Sequence, residues 1–189
     1  MSQPELVKRV AAALKAAGIE YMLTGSVVSS LQGEPRSTHD VDFVVDMNAA
    51  QAASFLKDFK EPEFYVSEEA VKEAIRSQRM FNILSTADGD KADLWLLKND
   101  AFDRSRFSRR IEVEFFGQRL TLTTPEDTIL FKLSWAKQSG GSEKQFNDAK
   151  GVFEVQRPHL DQDYMDYWSK ELKVDDLLDQ IRREAEPIA

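Results

Sequence analysis

The spacing of apolar residues alternates along the chain between the period of a helix and that of a strand. Between Leu6 and Leu14 apolar residues recur at helical spacing, after a Ser2-x-x-Glu5 sequence that is typical of a capping box. Further helices are predicted over 27–31, from Asn48 to about residue 59, and after Ser67. Short apolar runs predict strands at 21–23, 40–45, 64–66, 80–84 and 92–97.

The remainder of the pattern begins with a hairpin and is then helical. Residues 111–115 and 119–122 flank Gly117-Gln118 and predict a hairpin there. From Pro125 onward the pattern is helical, with a flexible loop at 139–142. We therefore predict an α/β (α+β) fold. A mixed β-sheet with flanking helices is expected over residues 1–122, followed by a helical segment over residues 123–189 that packs on it.

The composition is that of a globular protein with a substantial core. The chain is 42% hydrophobic and 31% charged, and it contains no cysteine, which excludes disulfides and thiolate metal sites. No apolar run is long enough to cross a bilayer, and the N-terminal residues lack the features of a signal peptide, so we expect a cytoplasmic protein without membrane partners. The net charge of −8 argues mildly against broad nonspecific nucleic-acid binding, although it leaves room for a local basic groove.

A Gly-Ser turn follows the first predicted strand and opens the second predicted helix. At Gly25 the absence of a side chain allows a sharp turn and a close approach to a ligand. The free N–H groups and the dipole at a helix N-terminus favour an anion, and Ser26 adds a hydroxyl at the same place. An ordinary helix start without a ligand has the same short pattern, so the turn alone is weak evidence.

Three aspartates lie on the predicted strands. Asp40 and Asp42 share one face of a strand, while Val41 and Phe43 point into the core. Two adjacent carboxylates repel each other unless a cation lies between them, and Mg²⁺ prefers such oxygen ligands. The alternative for this pair is a solvated strand end. Asp93 interrupts an apolar strand, where an unpaired charge is costly, and this favours a metal site built from all three aspartates.

Together, these residues resemble the signature of the DNA polymerase β-like nucleotidyltransferase superfamily. In that signature a hydrophobic-Gly-(Gly/Ser) sequence precedes Asp-hydrophobic-(Asp/Glu)-hydrophobic, and a third carboxylate lies on a later strand. Here thirteen residues separate Gly25-Ser26 from Asp40-Val41-Asp42-Phe43. The chain is similar to the bacterial and archaeal group that includes abortive-infection-type nucleotidyltransferase toxins. Three further stretches resemble that group: 33–38, 124–132 and 143–148.

The resemblance implies a nucleotidyltransferase fold and the transfer of a nucleoside monophosphate from an NTP, such as ATP, to an acceptor with release of pyrophosphate. It implies that Asp40, Asp42 and Asp93 are catalytic and bind Mg²⁺ or Mn²⁺, with Asp93 on the acceptor side as a candidate base. It also implies that Gly25 and Ser26 bind the β- and γ-phosphates, in a cleft between the sheet domain and the helical segment.

The positively charged candidates have less support. Arg36 precedes the aspartate pair and carries donors suited to phosphate, while a solvated loop arginine is the alternative. Only the resemblance makes Lys132 a candidate for binding the triphosphate. Lys144 and Asp148 are four residues apart on a predicted helix and are interpreted first as a helix ion pair.

One basic cluster stands out in the acidic chain, with phenylalanines interleaved in it. It consists of Arg104, Arg106, Arg109 and Arg110. Such a cluster fits contacts with an RNA backbone, or a solvated strand edge that discourages aggregation. The tryptophans Trp95, Trp135 and Trp168 are expected in the core.

The acceptor stays open at this point. RNA (a tRNA 3′ end in particular), a protein side chain and a small hydroxylated molecule all fit the residues. A catalytically silent nucleotide-binding regulator, or a toxin–antitoxin component with a cognate partner protein, is the alternative from another class. A metal-dependent nuclease is a third and weaker hypothesis, because a nuclease needs no triphosphate-binding turn.

Overall fold

The structure is a computed structural model that describes residues 2–35, 37–38, 40–115 and 117–186. The helices are α1 Gln3–Ala16, α2 Gly25–Gln32, α3 Ala49–Phe55, α4 Glu68–Ser77, α5 Ala101–Ser108, α6 Pro125–Gln138, α7 Glu143–Gln156, α8 Gln162–Glu171 and α9 Asp175–Glu184. The strands are β1 Glu20–Thr24, β2 Asp40–Asp46, β3 Phe64–Tyr65, β4 Met80–Ser85, β5 Lys91–Leu96, β6 Ile111–Phe115 and β7 Gln118–Leu122. Short 3-10 turns follow α3 and α7, at Leu56–Asp58 and Arg157–His159.

The seven strands form one mixed sheet in the order β3-β4-β5-β2-β1-β7-β6. At its centre β2 runs antiparallel to β1 and parallel to β5. In β2 burial alternates from Asp40 to Phe43, with Val41 and Phe43 fully inaccessible and Asp40 exposed, and the following Val44 and Val45 are both buried. This alternation follows from the two-residue period of a strand.

The chain divides into two compact units, each with its own buried cluster. The first consists of Met1–Val27 and Thr38–Leu122 and contains the whole sheet; the second consists of Val28–Ser37 and Thr123–Ala189. In the second unit α6, α7, α8 and α9 enclose a core that includes Leu133, Val152 and Ile181. The predicted division into domains at residues 1–122 and 123–189 stays a prediction.

The predicted mixed sheet with flanking helices and a helical C-terminal part is confirmed. The capping box is present, because the Glu5 side chain accepts a hydrogen bond from the backbone N–H of Ser2. The Asn48 and Ser67 side chains also cap α3 and α4, as their positions predict.

Two local interpretations were wrong. Residues 101–108 form α5, capped by Asp100, where a solvated strand edge was one of the two interpretations of the basic cluster. Trp135, expected in the core, is 41% exposed. In both regions the polarity pattern is weak, and tertiary packing decides which side of the segment is covered.

No helix within the described ranges is both long and apolar enough to span a membrane.

Candidate active site

The turn at Gly25 lies directly against the carboxylate of Asp42. Its φ of +72° is in the left-handed region that favours glycine. A Cβ added to Gly25 would lie 2.1 Å from Asp42 Oδ2, so the Asp42 side chain or the turn would have to move. The glycine therefore allows both the turn into α2 and a close approach of the backbone to one of the predicted metal ligands. Ser26 follows in the first turn of α2.

The sheet places the second and third aspartates side by side. In the parallel pair of β2 and β5, Asp42 is directly opposite Asp93, and Asp40 is opposite Lys91. Directly paired residues project to the same side of a sheet, so all four side chains belong to one face. The three aspartates predicted from the sequence are therefore brought to one place on the sheet of the first unit.

Asp93 is the most buried of these carboxylates, with 7% of the residue exposed. Its Oδ2 lies 3.0 Å from Lys91 Nζ. Its Oδ1 is buried and has no hydrogen-bond partner. A buried carboxylate oxygen without a partner is costly, and such atoms in native proteins call for an explanation such as a bound ion.

Two residues that the sequence analysis did not assign to the site, Lys91 and Trp95, complete it. Lys91 Nζ also lies 3.5 Å from Asp40 Oδ1, so one ammonium contacts two of the three carboxylates. The hydrogen bond to Asp93, together with the charges of Asp93 and Asp40, raises the pKa of Lys91 above its ordinary value. Trp95 donates a hydrogen bond from Nε1 to Asp42 Oδ1, at 3.2 Å. In the sequence, the two-residue spacing of Lys91, Asp93 and Trp95 was the signal that could have placed Lys91 and Trp95 on the same strand face as Asp93.

The donor set suits a divalent cation that prefers oxygen ligands. Within the described residues, no group of three or more acidic, histidine or cysteine side chains is close enough together to hold an ion as it stands. Two other observations support a fit between these residues and a cation. Asp93 Oδ1 has no hydrogen-bond partner, and the backbone at Gly25 lies close to Asp42 Oδ2. Both features suit an ion once the ammonium of Lys91 has moved aside.

Lys132 belongs to the second unit, where it is buried in an ion pair. The residue is 4% exposed, and its Nζ lies 2.7 Å from Asp148 Oδ2, which joins α6 to α7. Asp148 therefore forms an ion pair with Lys132, whereas the partner predicted from the sequence was Lys144. Arg36, the other predicted phosphate-binding cation, lies outside the described residues, as does His39.

Three of the four arginines in the basic cluster form ion pairs with carboxylates of the first unit. Arg106 is only 3% exposed and pairs with Asp103 at 2.7 Å. Arg110 and Arg104 approach Glu20 and Asp46 at 3.0 Å and 3.7 Å. The arginines therefore do not form the continuous exposed surface that an RNA backbone needs.

No protein-family model matches the sequence, and no curated protein matches it significantly. Solved structures do match. ANT(2″)-Ia in complex with adenylyl-2″-tobramycin aligns with a TM-score of 0.61 and 12% identity, over 92% of this chain and 98% of that chain. A nucleotidyltransferase-like protein from Paracoccidioides brasiliensis aligns with a TM-score of 0.58 and 17% identity, over 98% of this chain and 94% of that chain.

A third match is the lincosamide antibiotic adenylyltransferase LnuA with bound lincomycin. It aligns with a TM-score of 0.54 and 11% identity, over 82% of this chain and 98% of that chain. At these identities the likeness establishes the fold. The chain has a nucleotidyltransferase fold, as its sequence signature led us to expect.

Proposed function

We propose that the protein is a metal-dependent nucleotidyltransferase that moves a nucleoside monophosphate from an NTP to a hydroxyl-bearing acceptor. One observation supports this more than any other. Asp42 and Asp93 are direct neighbours across β2 and β5, and the buried Oδ1 of Asp93 has no partner. A cation-binding position beside the Gly-Ser turn is the arrangement that this reaction requires.

Each residue of the proposed site has its own role. The backbone N–H groups at the start of α2, with the Ser26 hydroxyl, bind the phosphates of the NTP. Asp40, Asp42 and Asp93 are the residues that would hold Mg²⁺ or Mn²⁺, and a bound ion would supply positive charge for the transfer of the phosphoryl group. Arg36 and Lys132 stay candidates for the triphosphate through the resemblance alone.

The transfer itself exchanges one P–O bond for another. The acceptor oxygen forms a bond to the α-phosphorus, the bond from that phosphorus to the bridging oxygen breaks, and pyrophosphate leaves with the electron pair. Asp93, on the acceptor side, is the candidate base for the proton of the attacking hydroxyl.

A small hydroxylated molecule is the acceptor to test first. Two of the aligned structures are antibiotic adenylyltransferases, and the alignments cover 98% of each of those chains. An RNA acceptor has less support, because Arg106 is buried and Arg110 and Arg104 face carboxylates. A protein side chain is the remaining candidate.

The test is transfer of label from each α-labelled NTP in the presence of Mg²⁺ or Mn²⁺. Aminoglycosides, lincosamides, total RNA and cell extract serve as separate acceptors. The wild type should label one acceptor class, and Asp93→Asn should lower kcat/KM by at least about a hundredfold. Asp58→Asn is the matched control, because Asp58 is an exposed aspartate of the first unit outside the site.

A second candidate function is favoured by the contact of Lys91 with Asp40 and Asp93, which places a protein cation among the metal ligands. A nucleotide-binding regulator without turnover would keep such a contact permanently. NTP binding without transfer to any acceptor would support this regulator. Transfer that persists unchanged in Asp93→Asn would contradict the proposed catalytic site.

A further inference from the structure

Lys91 contacts two of the proposed metal ligands. It precedes Asp93 by two residues on β5 and is paired with Asp40 across β2. Its Nζ lies 3.0 Å from Asp93 Oδ2 and 3.5 Å from Asp40 Oδ1. The Lys91 ammonium therefore serves as the cation that keeps these two carboxylates together.

A lysine and a divalent ion compete for such a position. Two carboxylates on neighbouring strands repel each other unless a positive charge lies between them. An ammonium and a divalent ion beside the same oxygens repel each other in turn, and this repulsion is strong at separations of a few ångströms. The side chain of Lys91 is 34% exposed, so it has space to move toward solvent.

The contact differs from an ordinary surface ion pair. Exposed pairs between one lysine and one carboxylate contribute little, because both side chains are solvated and mobile. Here the Asp93 side chain is only 10% exposed, and its other oxygen has no partner. The carboxylate is therefore fixed, and the charge next to it affects ion binding directly.

We propose that Lys91 is a positioning residue that holds Asp40 and Asp93 together in the metal-free protein and has to be displaced by the divalent ion. The inference rests on the proposed function, because it assigns a role to the same carboxylates. It follows that Lys91 weakens the binding of a divalent ion to the free protein. A metal ion would then bind well mainly when the nucleotide's negative charge balances the displaced ammonium.

The test measures Mn²⁺ binding to the nucleotide-free protein by calorimetry. Lys91→Met should bind Mn²⁺ about tenfold more tightly than the wild type, which corresponds to about 1.4 kcal/mol. Lys91→Arg keeps the charge and should bind like the wild type. Lys98→Met removes an exposed lysine just after the same strand and is the matched control.

Trp95 provides a second signal from inside the site. Its Nε1 hydrogen bond to Asp42 Oδ1 places the indole next to a proposed ligand, so bound Mn²⁺ should quench its fluorescence. Trp95→Phe identifies the Trp95 part of the signal, since Trp135 and Trp168 remain. Metal-free Lys91→Met should also melt about 2–4 °C below the wild type, and Mn²⁺ should reverse this loss.

The outcomes separate the two proposals. If wild-type Mn²⁺ binding is lost in Asp93→Asn but Lys91→Met binds no more tightly than the wild type, the role of Lys91 is wrong and the metal site stands. If Asp93→Asn leaves Mn²⁺ binding unchanged, both in the otherwise wild-type protein and in combination with Lys91→Met, the proposed metal site is wrong. Lys91 then has no ion to exclude. Lys91→Gln repeats the comparison should Lys91→Met fold poorly.

Discussion

At the scale of single residues, the site depends on two atoms. Asp93 Oδ1 is a buried acceptor without a partner, and Asp42 Oδ2 lies where a side chain at Gly25 would have to be. The first feature does not improve the stability of the metal-free chain, because burying a polar atom without a hydrogen-bond partner is unfavourable. Residues that lower stability in this way are typical of sites selected for binding or catalysis.

Gly25→Ala should abolish most of the activity. The added Cβ meets Asp42 Oδ2 at 2.1 Å, so either the turn or the carboxylate has to move. We expect kcat/KM to fall at least about a hundredfold, since small misplacements of reacting groups have effects of that size. Steady-state kinetics with the acceptor found in the transfer assay, together with Mn²⁺ calorimetry, measure this change.

Gly18→Ala is the control for backbone strain. Gly18 also has a positive φ, +65°, but no atom lies within 4 Å of a Cβ placed there. Both variants therefore lose about 1–2 kcal/mol of stability to the left-handed backbone, and only Gly25→Ala should lose activity and Mn²⁺ binding. Equal activity in the two variants would show that the approach to Asp42 is unimportant.

At the scale of elements, the pairing of strands and helices decides what each charged residue contacts. The antiparallel contact between β1 and β2 sets Thr24, the last residue before Gly25, opposite Asp42. The parallel contact between β2 and β5 then adds Asp93 and Lys91. In the second unit, α6 and α7 place Lys132 against Asp148.

Breaking the Lys132–Asp148 pair should destabilise the second unit. Asp148→Asn leaves the buried ammonium without its carboxylate at 2.7 Å, and loss of one partner of a buried pair costs about 3–5 kcal/mol. Replacing both residues by methionine should recover most of this loss. Chemical denaturation followed by circular dichroism measures the free energy of unfolding of each variant.

The double variant also tests Lys132 as a nucleotide-binding residue. If Lys132 contacts the triphosphate, the stable double variant should show a KM for NTP that is raised about tenfold, in line with loss of one charged contact. An unchanged KM would restrict Lys132 to its ion pair with Asp148.

At the scale of the whole molecule, the net charge of −8 makes the fold sensitive to alkaline pH. Self-repulsion grows as lysines lose their protons, and this weakens any compact acidic chain. Tyr21 on β1 adds a specific contribution. The residue is 3% exposed, and burial raises the pKa of its phenol above the ordinary value of about 10.

Above about pH 10 the free energy of unfolding should fall more steeply in the wild type than in Tyr21→Phe. The unfolded chain loses the tyrosine proton first, while the folded chain retains it, so the unfolded state binds fewer protons and stability decreases as pH rises. Below that pH, Tyr21 should contribute its full stabilisation. Urea denaturation from pH 8 to 11 measures the two slopes, and parallel slopes would contradict the assignment.

Much of the fold was accessible from the sequence. Strand periodicity located the central strands to within about two residues at most ends, and the capping residues Asn48 and Ser67 marked the starts of two helices. Helix α5 was missed, since its buried residues Phe102, Asp103, Arg106 and Phe107 mix apolar and charged side chains. A buried arginine looks the same in sequence as a solvated one until its carboxylate partner is known.

The sequence by itself determined the local features of the site: the Gly-Ser turn, the shared face of Asp40 and Asp42, and the cost of Asp93 in an apolar strand. These features depend on neighbours within a few residues, so the chain's own periodicity is sufficient to predict them. Only the tertiary structure set Asp42 against Asp93, Lys91 against Asp40, and Lys132 against Asp148. Such contacts depend on which strands and helices become neighbours and in what register, and a shift of one residue would send every side chain of a strand to the opposite face.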